Sequence, residues 1–216
     1  MQDFCVVTGM VLSQMPVSEF DRRICILTKE KGKITAFAKG ARRPGSRFMA
    51  ATTPFSFGKF KLCEGRNSYH IMDVEISRYF DGLRQDYIGA CMGMYFLEVA
   101  DYYTRENNDE KEMLKLLYMS LLALEHTEFP NLLVRYVFEI KAIVVNGEYP
   151  GVPTDMKLSD STVYALSFIA STPVEKLYTF TVKEDVLREL GVVAEKYRKR
   201  FMDRQFKSLQ ILETLY

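Results

Sequence analysis

Tyr69-His70-Ile71-Met72-Asp73-Val74-Glu75-Ile76-Ser77 closes one kind of sequence, and the stretch from Ile88 to Tyr102 opens another. In the first, Met72, Val74 and Ile76 share one face and Asp73, Glu75 and Ser77 the other. That two-residue period belongs to a strand with one side in a core. In the second, Ile88, Met92, Tyr95, Val99 and Tyr102 recur at spacings of four, three, four and three. That is one face of a helix. The change of period near residue 80 divides the chain into two expected domains, 1–80 and 81–216.

Upstream of the switch everything reads as strand. Phe4–Leu12, Arg22–Thr28, Lys33–Ala38, Ser56–Leu62 and Tyr69–Ser77 are rich in β-branched and aromatic residues. Lys31-Gly32, Pro44-Gly45 and Glu64-Gly65-Arg66-Asn67 supply turns between them. Phe60 and Leu62 alternate with Lys59 and Lys61. Five short strands are too few for a sandwich and suit a small closed barrel, of which the OB-fold is the commonest. Downstream, helices are expected at Glu110–Glu125, Asn131–Val145, Ser159–Ala170, Pro173–Tyr178, Lys183–Met202 and Lys207–Leu215. Pro130 fits a first-turn position, Asn146-Gly147 is a helix stop, and Tyr149-Pro150-Gly151-Val152-Pro153 breaks the chain. The expected class is α+β: a five-stranded OB-like barrel followed by an all-helical domain.

Composition excludes several classes. With 48% hydrophobic and 26% charged residues, the 216-residue chain has the balance of an ordinary globular protein. No apolar run approaches the roughly 18 residues of a membrane helix. Met1-Gln2-Asp3-Phe4 lacks the basic-then-apolar order of a secretory leader. Cys5, Cys25, Cys63 and Cys91 stand far apart with no CxxC pair, the pattern of buried, reduced thiols, so a cytoplasmic protein is expected. The net charge is only +1, but residues 1–80 carry +6 and residues 81–216 carry −5. A basic first domain on a near-neutral chain points to a polyanionic partner for that domain alone.

Catalytic signals are weak. His70 lies in a strand pattern and His126 at a helix end, and neither belongs to an HExxH or a nucleophile elbow. There is no phosphate-binding P-loop and no GxGxxG. Acidic pairs such as Asp109/Glu110 sit at a helix start, where they complement the dipole. No enzyme activity, cofactor or metal is therefore expected. Structural zinc takes four Cys or His ligands at close paired spacings, and none exist here. Elemental analysis of the purified protein after mild chelation should find no stoichiometric metal; about one zinc per chain would contradict this.

The strongest signal is Lys39-Gly40-Ala41-Arg42-Arg43-Pro44-Gly45-Ser46-Arg47, four cations in a Gly/Pro-rich loop after the third strand. Lys59 and Lys61 stand on the outer face of the fourth strand beside Phe57. Cations with a nearby aromatic are the ingredients of a groove that follows a nucleic-acid backbone and stacks bases. The competing reading is a solvated loop that only keeps the domain soluble. A second stripe, Lys196, Arg200 and Arg204, opposes Leu190, Val193, Tyr197 and Phe201 and reads first as the wet face of a helix.

These residues resemble a known family. Phe20-Asp21-Arg22-Arg23, leading to Leu27-Thr28-Lys29-Glu30-Lys31-Gly32-Lys33-Ile34, is similar to the second and third strands of bacterial RecO. Ala38-Lys39-Gly40-Ala41-Arg42-Arg43-Pro44 and Pro54-Phe55-Ser56 resemble its most recognisable stretch. Leu133-Val134-Arg135-Tyr136-Val137-Phe138-Glu139 resembles its third long helix, and Phe206-Lys207-Ser208-Leu209 its C-terminal run. The resemblance implies an OB-fold followed by a helical domain and a nucleoid-associated role in recombinational repair. It also implies binding of single- and double-stranded DNA, strand annealing, and work with RecR. Together with RecR such a protein helps a recombinase load on DNA coated by single-stranded-DNA-binding protein (SSB), whose acidic tail it contacts. The basic loop and strand give the expected DNA contacts, Lys39, Arg42, Arg43, Arg47, Lys59 and Lys61; the expected tail contacts are Arg135 and Lys207, from the resemblance, and Arg204, from the basic stripe. Many relatives carry a cysteine cluster after the third long helix; here Gly147–Leu158 is short and free of cysteine, so zinc is not carried over. The competing class is a generic OB-type binder of single-stranded nucleic acid such as RNA. A hydrolase or transferase with a helical pocket lacks any nucleophile–base pair.

Overall fold

The computed structural model describes residues 4–65 and 68–215. The Arg66-Asn67 half of the fourth-to-fifth-strand turn and residues 1–3, part of the start read above as lacking a leader, lie outside the described residues. Five strands form a closed barrel: β1 (Phe4–Val17), β2 (Asp21–Thr28), β3 (Gly32–Ala38), β4 (Phe57–Glu64) and β5 (Tyr69–Arg78). Around the barrel the order is β1-β2-β3-β5-β4, closed by β4 against β1. All neighbours are antiparallel except β3 and β5. A short helix, α1 (Phe48–Ala51), lies between β3 and β4.

All five expected strands are present, but β1 runs on to Val17. Its first half pairs with β4 and its second half with β2, so one strand serves both walls. The core is what the alternation dictates: Val7, Val11, Ile24, Ile26, Ile34, Phe60 and Leu62 point inward and are almost fully buried. One face assignment fails. Lys61 pairs with Asp73 but Leu62 with Ile71, so Met72 is the extra residue of a bulge. The inward set of β5 is therefore Tyr69, Ile71, Val74 and Ile76, while Met72 is 44% exposed.

The chain packs as two compact units. The first ends at Asp81 and also takes in Ala100–Leu114; the second takes Gly82–Val99 and everything from Lys115 on. In the first unit the added segment lies along the β2–β3 hairpin. Lys33 N donates to Arg105 O at 3.0 Å, and Asn107 N to Lys31 O at 2.9 Å. Gly32 sits between them with φ +65°, and any Cβ there would collide with the Arg105 carbonyl, so the hairpin accepts only glycine.

The helices are α2 (Asp81–Gln85), α3 (Tyr87–Tyr103), α4 (Lys111–Glu125), α5 (Asn131–Val145), α6 (Asp160–Ser171), α7 (Glu184–Phe201) and α8 (Lys207–Glu213). The helix expected at Pro173–Tyr178 is only a 3-10 turn, Val174–Lys176. The Asn146-Gly147 stop is a Schellman cap: Glu148 N donates to Ile143 O and Gly147 N to Val144 O, each at 3.0 Å. In the second unit α5 is buried on most sides, and its Phe138 stacks on Phe96 with ring centroids 4.1 Å apart. That burial includes two charged side chains, Glu139 and Lys141. Lys141 Nζ donates to the carbonyls of Ile169, Ala170 and Thr172, closing the last turn of α6.

Candidate nucleic-acid interface

The basic segment is a loop, as its Gly and Pro content implies, and Lys39, Arg42, Arg43 and Arg47 are all exposed. It is an ordered loop rather than a loose one. Ala41 is fully buried and anchors it in the barrel core. Gly40 N donates to Asp21 Oδ1 at 2.7 Å and Arg42 N to Phe20 O at 2.8 Å, which ties it to the β1–β2 turn. The cations then take different positions. Arg42 Nη1 donates to the carbonyls of Ser18 (3.3 Å) and Glu19 (3.1 Å). Arg43 lies over the Phe20 ring at 5.1 Å and Arg47 over Phe48 at 4.9 Å. Arg47 also pairs with Asp73 Oδ1 at 2.8 Å and donates to Met72 O at 2.9 Å.

Behind the loop stands a cation that the charge count alone did not single out. Arg22 donates to Met49 O at 2.6 Å and Thr52 Oγ1 at 3.0 Å. Burial first, and then the charge of Arg42, hold the Arg22 guanidinium below its ordinary value. Cations crowded at this end of the barrel repel one another, and a bound anion would relieve that repulsion.

The β4 lysines occupy a more mixed surface. Lys59 lies between Thr8 and Glu75, and Lys61 between Val6 and Asp73. Lys59 Nζ is 4.0 Å from Glu75 Oε2. The aromatic at Lys61 is not Phe57 but Phe4, from β1, 5.5 Å away and 53% exposed. Asp73 faces Lys61 and binds Arg47, so the loop and the β4 lysines meet at that carboxylate. All six expected DNA contacts are thus on the barrel. The loop is the more cationic part, because two carboxylates sit among the strand lysines.

The three expected tail contacts differ in setting. Arg135 is 11% exposed and its Nε is 3.0 Å from Glu139 Oε1, a pair one helical turn apart on α5. Tyr95 OH donates to the same oxygen at 2.7 Å. Burial first, then the Glu139 charge, push the Tyr95 phenol well above its ordinary value. Arg135 instead borders a cavity of about 480 Å³ whose other cations are Arg188 and Arg198. Glu139 Oε2 and Arg198 Nε are buried there without a hydrogen-bond partner among the described residues. Arg204 and Lys207 do not line that cavity. Helix α7 ends at Phe201, so Arg204 leaves the stripe begun by Lys196 and Arg200, and Lys196 is held by Asp155 at 2.5 Å.

Among the described residues, no three Cys, His, Asp or Glu side chains converge as metal ligands. All four cysteines are free, though only Cys63 is buried outright. Burial, and then the neighbouring Asp101 carboxylate, push the Cys25 thiol up to about 12.

A five-stranded Greek-key barrel in this strand order is an OB-fold, here carrying a cationic loop between its third and fourth strands. Residues 1–80 match the family Recombination protein O N terminal, and residues 84–153 match Recombination protein O C terminal. The chain is 27% identical to DNA repair protein RecO of Acetivibrio thermocellus, covering 99% of this chain and 98% of the relative. It is 24% identical to that of Clostridium novyi, with 96% and 93% covered, and 32% identical to that of Symbiobacterium thermophilum, with 78% and 66% covered. The chain belongs to the RecO family. Among the described residues no helix is long and apolar enough to cross a membrane.

Proposed function

We propose that this chain is a non-enzymatic, nucleoid-associated recombination mediator. Its barrel, residues 1–80, binds single- and double-stranded DNA, and its helical part, residues 81–216, receives protein partners. The observation that supports DNA binding most directly is the ordered loop. Its backbone is fixed to the β1–β2 turn, Arg43 and Arg47 lie against Phe20 and Phe48, and Arg22 crowds Arg42. Phosphates neutralise such a cluster without reading sequence. Family membership supports the finer steps: annealing of complementary strands and, with RecR, recombinase loading on SSB-coated DNA.

For the acidic SSB tail, a rim of Arg135, Arg204 and Lys207 is joined by two further cations, Arg188 and Arg198, of the cavity beside Arg135. Two measurements test the whole reading. Complementary oligonucleotides should anneal faster with the protein than without it. Recombinase should assemble sooner on SSB-coated single strands when both this protein and RecR are present. Binding confined to RNA, with no annealing and no response to RecR, would favour the generic OB-type binder instead.

A further inference from the structure

A cavity of about 680 Å³ lies between α6 and the segment that leads into α7. One wall is Ser161, Tyr164, Ala165 and Phe168, whose spacings of three and four put them on one face of α6. The other is Thr179–Lys183 with Asp185 and Val186 from the first turn of α7. Phe168 and Phe180, both in the lining, pack edge to face with ring centroids 5.0 Å apart. Tyr164 beside them is 73% exposed. A tyrosine with its ring against an apolar cavity and its hydroxyl in water is typical of binding surfaces.

Neither wall is complete in itself. Residues 180–183 are extended but belong to no strand, and Phe180 and Val182 are half-buried while Thr179, Thr181 and Lys183 are exposed. The backbone of Phe180, Thr181 and Val182 makes no hydrogen bond among the described residues. It is a short unpaired edge, the element to which an extended peptide adds as a further strand. The lining carboxylates of Asp160 and Asp185 also have no hydrogen bond or ion pair among the described residues. Asp160 is not needed to cap α6, because Thr162 N donates to Ser159 Oγ at 3.3 Å. Lys183 is the one cation among the described lining residues, and Glu184 follows it in the chain. Charge therefore decides against DNA and against an acidic tail, which both carry the same sign as the groove. A small organic cation would meet the carboxylates but leave the open backbone edge unused.

We infer that the groove between α6 and residues 179–183 binds an extended, basic segment of a protein partner. Its backbone pairs with Phe180–Val182, an apolar side chain enters beside Tyr164 and Phe168, and arginine or lysine reaches Asp160 and Asp185. The groove shares no residue with the basic loop or with the Arg135 cavity, so it is a site additional to those for DNA and the SSB tail.

The test titrates the full-length protein with a short fluorescein-labelled peptide that alternates arginine and leucine. Controls are the glutamate–leucine peptide and an arginine–leucine peptide with an N-methylated backbone, which cannot pair as a strand. The arginine peptide should bind, both controls should bind about ten-fold or more weakly, and hydrogen exchange at Thr181 and Val182 should slow on binding. Asp160→Asn/Asp185→Asn keeps side-chain size and should weaken the arginine peptide about ten-fold at low salt. That variant should melt near the wild-type temperature and keep the wild-type salt slope on DNA. The inference is overturned if the arginine peptide does not bind, if the glutamate peptide binds as well, or if the double variant binds as wild type does. Exchange protection of Thr181 and Val182 by DNA instead of by the peptide overturns it too. A failure of the proposed function looks different, because the wild type then neither anneals strands nor binds DNA with salt dependence while the peptide result stands.

Discussion

Replacing Arg42, Arg43 and Arg47 together by alanine flattens the salt dependence of DNA binding by about two units on single strands and about three on duplex. Each phosphate contact contributes about 0.7 to the slope on single strands and 0.9 on duplex. If mutant and wild-type titrations converge near 1 M salt, a slope difference of about two becomes roughly a hundred-fold loss of affinity at 0.1 M. The loss should be the same for every sequence, because phosphate contacts carry no base information. The geometry also ranks the single variants. Arg47 must first leave Asp73, so Arg47→Ala should weaken binding least of the three. Arg42→Ala should cost a little stability as well, because Arg42 bridges to the Ser18 and Glu19 carbonyls, while the barrel core is untouched. Filter binding or anisotropy across a salt series reads the slope, and circular dichroism reads the fold. A folded triple variant with the wild-type slope would refute the loop as the DNA grip.

Arg135→Ala should destabilise the protein by roughly 3–5 kcal/mol, far more than a surface arginine does, because it strands the buried Glu139 carboxylate. Glu139 is 1% exposed, and the hydrogen bond from Tyr95 is too little to hold its charge. Removing both charges in Arg135→Met/Glu139→Met should return most of that stability, since a buried ion pair replaced by apolar groups is often neutral. Urea denaturation of the two singles and the double gives the coupling directly. Equal stability of Arg135→Ala and wild type would show that Glu139 finds another partner. The result also governs any SSB-tail experiment. A loss of tail binding in a destabilised Arg135→Ala would not identify a contact, so the informative change is Arg188→Ala, an exposed cation on the same cavity.

Much of this architecture was legible because hydrophobic period and secondary structure agree. The switch near residue 80 and the five strands follow from it, as does the α5 range, Asn131–Val145. The bulge at Met72 was not legible, because Met72, Val74 and Ile76 alternate perfectly on paper and only pairing with β4 shows the extra residue. Nor was the burial of Arg135. An Arg–Glu pair four residues apart reads as a surface ion pair, and α5 hides it by being covered on most sides. The attachment of Ala100–Leu114 to the barrel depends on backbone hydrogen bonds to Lys31 and Lys33, which leave no periodic trace. The basic loop was visible as composition, but its fastening to Phe20 and Asp21 was not.

The double duty of β1 also shapes how the barrel is made. Its first half needs β4, whose partners lie some fifty residues further along, from Gly58 opposite Gly9 to Cys63 opposite Phe4. Contacts of that sequence separation are slow to form, because a long loop must close before they repay its entropy. During synthesis, β1, β2 and β3 can assemble as a meander while the other wall of β1 has no partner. Until β4 emerges and zips against it, Phe4, Cys5, Val6 and Val7 form an open, largely apolar edge of the sort that pairs with other chains. The strand pairs of longest sequence separation are therefore the ones that cover this edge of the growing chain, and they place Lys59 and Lys61 beside Thr8 and Val6 at the same moment.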